Sequence, residues 1–167
     1  ATVSFRGFRI AIPIREMLVL DERMPSGRAY ADYMNRLNRI LGTMLGAEID
    51  FIVKGIDSTT HSAVASRREA MLRKRQTFYL GKDVSGNPYI YPGRLVEARV
   101  IAVAEKVLRV EAFGIECAIF ARDLSWQWVS DVRDLYSVGD RVLVRVQEIS
   151  GEDAEHLSIR CLLYTSP

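Results

Sequence analysis

Phenylalanines and arginines recur in this sequence where strand alternation turns them the same way. Val96, Ala98 and Val100 alternate with other residues, as do Leu108, Val110 and Ala112, and again Val142, Val144 and Val146. Alternate residues of a strand share one face, so these three sets read as core. The opposite face then carries Arg99, Arg109, Phe113 and Phe120, with Arg145 where its strand is open. Exposed rings stack on bases of any identity for about 1–3 kcal/mol each. Arginines beside them neutralise phosphates or stack in their turn. The chemistry such a face offers is recognition of a single strand, not the making of bonds. The plainer alternative is that the rings pack beneath a neighbouring helix or barrel.

Two further clusters have the same character. Phe5 and Phe8 flank Arg6-Gly7, with Arg9 beside them and Arg15 and Lys54 adding charge, although Phe8 also suits a core. Arg67, Arg68, Arg73, Lys74 and Arg75 form a basic run. On a helix it is either a solvated face or an electrostatic floor for phosphates, in which Arg73, Lys74 and Arg75 act as a sequence-independent anchor. Of Trp126 and Trp128, one is expected to cap a barrel and the other to remain free for contact. His61 and His156 lack metal-ligand spacing, and there is no HExxH, phosphate-binding loop or nucleophile elbow. The reading is of a non-catalytic protein without cofactor or metal.

The elements that must position these residues follow from pattern. Thr2 to Phe5 and Phe8 to Ile14 read as strands, and Gly46 to Asp57 and Ala63 to Arg67 contain two more. Between them, Tyr30, Tyr33, Met34, Leu37, Ile40, Leu41, Met44 and Leu45 keep spacings of three and four, which predicts an amphipathic helix packed at a barrel mouth. Ser66 and Glu69 form a capping box ahead of Ala70 to Gln76, a second helix that Gly81 ends. Pro92-Gly93 then resets the chain. Strand-like runs follow at 94–103, 107–113, 115–121, 141–146 and 156–160.

Composition sets the bounds. Apolar residues make up 49% of 167, so packed cores are affordable, and 23 basic against 21 acidic residues leave a net charge of +2. That charge is uneven: residues 66–91 carry six Lys or Arg against two Asp or Glu, while 92–167 carry nine against twelve. Cys117 and Cys161 show no CxxC spacing, and Cys117 reads as a small core residue. There is no run of about 18 apolar residues to span a membrane. No leader precedes the first strand, and a cytoplasmic protein is the default expectation. The opening in mid-pattern, without methionine, reads as a cut from a longer polypeptide.

The second half resembles the S-one RNA-binding domain, the five-stranded OB-type barrel repeated in the largest ribosomal small-subunit protein of bacteria. The most specific part is Val129-x-Asp131, then Tyr136-x-x-Gly139-Asp140-x-Val142-x-Val144-x-Val146. The first half is similar in Ile12-Pro13-Ile14-Arg15-Glu16-Met17, in Gly46 to Asp57 and in Ala63 to Arg67, but starts one strand late. The resemblance implies a mainly β protein with added helices: two tandem OB-type barrels joined by a basic helix. Residues 1–66 would be a barrel lacking its first strand, 67–91 a helical hinge and 92–167 a full barrel. It implies that Phe120 and His156 occupy binding positions, while Lys106 and Arg109 stand where the family places aromatics. The acidic loop Gly151 to Glu155 would repel phosphate. The expected partner is single-stranded RNA, within a ribosomal or RNA-processing setting. Single-stranded DNA, or an assembly role for the same faces, are the alternatives. The open edge of the first barrel would take a second copy, the tail Leu162 to Pro167, or the helix near Tyr30 to Leu45.

Overall fold

The computed structural model describes residues 1–20, 25–124 and 128–164. Arg6 and Gly7 both take positive φ, 47° and 80°. Two such residues in succession make the turn that suits the right-handed twist of a hairpin. The turn joins β1 (Thr2–Phe5) to β2 (Phe8–Ala11), with Phe5 opposite Phe8 and Thr2 opposite Ala11. After α1 (Arg28–Gly42), β3 (Ile52–Asp57) pairs antiparallel with β4 (Ser62–Ser66), and β4 runs parallel to β2. The sheet order is β1-β2-β4-β3. The helical spacing of α1 turns Tyr33 and Leu37 onto Ile10, Ile12, Met17, Leu18, Ala63 and Ala65, the first core.

The N-cap half of the predicted capping box forms: Ser66 Oγ accepts from the Glu69 amide at 3.0 Å and opens α2 (Arg67–Arg75), while the Glu69 carboxylate turns to Lys54 and Arg73 instead. A π-helical turn, Gln76–Leu80, continues it to Gly81. It buries Tyr79, whose hydroxyl donates to the Ala112 carbonyl at 2.6 Å.

Five strands follow: β5 (Leu95–Val103), β6 (Val107–Ala112), β7 (Ile115–Phe120), β8 (Arg141–Ser150) and β9 (Ser158–Leu163). Their hydrogen-bonded order is β7-β6-β5-β8-β9. The two end strands come together, with Cys117 and Cys161 Sγ 2.8 Å apart, so the sheet is a nearly closed barrel. Val96, Ala98, Val100, Leu108, Val110, Ala112, Val144 and Val146 fill it, as alternation predicts.

The two sheets share an order. Read from β6 through β7, across the seam to β9 and then β8, the barrel repeats the succession β1-β2-β4-β3. The β6–β7 turn also repeats β1–β2: Phe113 and Gly114 take φ of 49° and 92°. Among the described residues the first sheet holds no counterpart of β5.

The halves meet over an apolar contact and a charged one. A register shift between Val100 and Ala102 lets β5 bury Ile101 and Ala102 against Met44, just beyond α1. The charged contact lies on the outward side of β5 and β6, at Arg99 and Glu111.

Candidate nucleic-acid interface

Register builds that face. Arg99 lies opposite Glu111, Ala102 opposite Arg109, and on the next strand Glu111, Arg109 and Val107 lie opposite Glu116, Ala118 and Phe120. All point away from the barrel core. Alternation therefore assigns the correct side, but it does not reveal that the first half of the chain covers part of it.

Arg67, the first residue of α2, is fully buried at the covered end. Its Nη1 donates to the Met17 carbonyl at 2.7 Å, and its Nη2 to Glu111 Oε1 and Glu116 Oε1, both at 3.1 Å. Arg99 donates to Asp50 Oδ2 at 2.6 Å and to Glu111 Oε2 at 2.5 Å, and Lys74 meets the same Asp50 oxygen at 2.5 Å. Arg109 pairs with Glu116. Burial pushes the Asp50 carboxyl up, but hydrogen bonds from Lys74 and Arg99 outweigh it and hold its pKa below the ordinary value. Burial likewise opposes the charge on Arg99, yet Glu111 and Asp50 hold its pKa above the ordinary value. The arginines on this half of the face are internally neutralised.

The other end is open. Phe120 is 47% exposed, and Trp128 85% exposed. Each ring carries a cation: Arg122 Cζ lies 5.2 Å from the Phe120 centroid and Lys106 Nζ 5.6 Å from that of Trp128. The Ala121 amide donates to the Lys106 carbonyl at 2.9 Å, and Lys106 Nζ to the Ser130 carbonyl at 2.9 Å, which ties the segments together. Two rings with attendant cations, beside Arg109, can stack bases and meet the phosphates between them.

The remaining expected residues fall elsewhere. Phe5 and Phe8 share the inner face of their hairpin with Val3 and Ile10. Phe8 packs into the first core and against His61, 5.5 Å between centroids, while Phe5 stays half exposed against Phe51 and under Arg6. Arg9 points to the other side of the sheet, so the three do not form one surface. Phe113 sits on its turn against Phe78, centroids 4.7 Å apart, with Lys74 over the ring, and so packs within the chain.

The basic run is helical but divided. Arg73 is exposed beside Glu69, and Lys74 is bound to Asp50. Arg75 is buried, donating to the Gly114 carbonyl at 2.7 Å and the Ala154 carbonyl at 3.1 Å. Burial pushes its pKa down, only partly offset by Glu116. An anchor using all three side chains does not fit this geometry. His156 pairs with Asp153 at 2.6 Å in the loop that Arg75 holds beside Gly114. Phe120 lies at the far end of β7, about 20 Å of strand away. Trp126 and the tail beyond Tyr164 lie outside the described residues.

Sequence reasoning missed Arg122 and did not single out Trp128. The signal for Arg122 was its place two residues after Phe120, just past the end of β7. Among the described residues no three His, Cys, Asp or Glu side chains could together hold a metal ion, and no helix is long and apolar enough to cross a membrane.

Comparison with known proteins bears on the closed barrel. Residues 90–160 match the family model of the S1 RNA binding domain. That is the S-one family anticipated for the second half, and the match spans β5 to the start of β9. Residues 1–89 fall outside it. Among solved structures, a chain in the crystal structure of the a/eIF2alpha–aDim2p–rRNA complex from Pyrococcus horikoshii OT3 is 22% identical, with a TM-score of 0.39. The likeness covers 45% of this chain and 45% of that one, so under half of either. No curated protein matches this chain.

Proposed function

We propose that this chain binds single-stranded RNA, without catalysis, on the open half of the β5–β6–β7 face. The observation that carries the reading is the pair of exposed rings, Phe120 and Trp128, each with its own cation, at one end of a barrel whose sequence matches the S1 RNA binding domain. A barrel of this type presents its second and third strands to nucleic acid, and Phe120 closes the third. The sheet order of the first half supports reading it as a second OB-type barrel short of its opening strand. Its role here is to cover the other half of the face and shorten the track available to RNA.

Buried rings at Phe113 and Phe120 would favour the assembly alternative, and exposed rings beside arginines a nucleic acid. Phe113 is packed within the chain, but Phe120 stands exposed beside Arg122, which favours a nucleic-acid ligand. The test is titration with short RNA and DNA oligonucleotides at two salt concentrations. Phe120→Ala is expected to weaken RNA binding by about 1–3 kcal/mol, one stacked base, and to leave the thermal midpoint unchanged. Unchanged affinity, or loss of the fold, sinks the stacking role. Tighter binding of DNA would reassign the ligand.

A further inference from the structure

Where α1 ends over the β5–β6 hairpin, a cleft of about 280 Å³ remains. Ile40 and Thr43 line one side, and Val103, Ala104 and Val107 the other. Its walls are largely apolar, and its size suits one planar ring system rather than a larger ligand. Two cations stand at it, Arg109 and Arg39. Arg109 is neutralised by Glu116, whereas no carboxylate among the described residues pairs with Arg39. Val107 is the register partner of Phe120, so the cleft opens beside the stacking rings.

We propose that this cleft receives one nucleobase of the bound strand, turned in from the track over Phe120 and Trp128, while Arg39 meets the adjoining phosphate. The inference rests on the RNA-binding reading and deepens it. The site is composite: one wall belongs to the barrel that matches the S1 domain, the other to a helix outside that match. An isolated barrel of this type would have no such site. An apolar slot between arginines selects a base for its flat face and its neighbouring charge, not for a particular pattern of donors and acceptors.

The test is a binding titration of the whole chain with a short RNA in which each base in turn is removed to leave an abasic sugar. In the parent protein, one abasic position is expected to weaken binding roughly tenfold and to be insensitive to Phe120→Ala and Trp128→Ala. Thr43→Phe, at an exposed position, fills the cleft. It should weaken intact RNA by a similar factor and erase the effect of that abasic position. Arg39→Gln, which fills nothing, should lower the salt slope by about 0.7, one phosphate contact on a single strand. If Thr43→Phe and Arg39→Gln both bind like the parent, while Phe120→Ala does not, the cleft proposal is overturned and the RNA reading stands. If the parent binds no RNA at either salt concentration, both fall.

Discussion

Arg67 offers the sharpest test of how the halves are held. It is fully buried and bridges the Met17 carbonyl to Glu111 and Glu116, themselves largely buried. Its Nε has no hydrogen-bond partner among the described residues. The native state therefore bears part of the desolvation cost of the guanidinium unrewarded. Removing the cation does more harm than that cost, because it strands the carboxylates. Breaking a buried pair from one side costs about 3–5 kcal/mol. Here Arg99 still serves Glu111 and Arg109 still serves Glu116, which argues for the lower end, while the Met17 carbonyl loses its donor and argues the other way. Arg67→Met keeps most of the volume and is expected to lose about 3–4 kcal/mol. With a urea dependence of about 2–3 kcal/mol per molar, the unfolding midpoint falls by on the order of 1.5 M. Arg67→Met combined with Glu111→Leu should recover part of the loss, since the buried Glu111 carboxylate is no longer stranded and Arg99, its other partner, keeps Asp50. A fall of less than about 0.3 M for Arg67→Met would show that the bridge contributes little, and the argument from buried charge would fail.

Three further outcomes can be measured. Arg73→Gln should leave the urea midpoint unchanged, because its partner Glu69 is solvated, whereas Arg75→Gln should cost about 2 kcal/mol by leaving the Gly114 and Ala154 carbonyls short of a donor. Asp50 has a folded pKa below its unfolded value, so its contribution is full above the ordinary carboxylate range and is lost as pH falls through the folded value. Scattering or near-ultraviolet dichroism should therefore report loosening of the two halves only below about pH 4, and Asp50→Asn should abolish that pH dependence. Gly114→Ala should cost about 2 kcal/mol or more in urea unfolding. Its φ is 92°, and a Cβ there would lie 2.5 Å from the Met71 carbonyl oxygen of α2.

Much of this fold was legible because its signals are local. Alternation in β5, β6 and β8 separates core from surface, and Ser66 with Glu69 announces α2 at its first residue. What was not legible came from distance in sequence. Arg67 reads as one more member of a basic run; only Glu111 and Glu116, more than forty residues on, make it a buried bridge. Arg99 faces outward as alternation requires, and is covered there by Asp50. Phe8 and Arg9, adjacent in sequence, part company because neighbours in a strand point to opposite sides. The choice between the tryptophans had no local signal: the exposure of Trp128 follows from the path of an irregular segment, and Trp126 lies outside the described residues.

The seam of the nearly closed barrel has a kinetic meaning. A cylinder laced by ladders all round has no first place to open, but β7 and β9 are end strands of their sheet and meet through side chains. Cys117 and Cys161 sit across that line, and a hydrogen bond from Cys161 holds the Cys117 thiol below its ordinary value while the partner is pushed up. Breathing of the barrel is therefore expected to begin where its two buried thiols are. The rate at which a thiol reagent reaches them is a clock for that opening, and RNA seated on Phe120, the last residue of β7, should slow it.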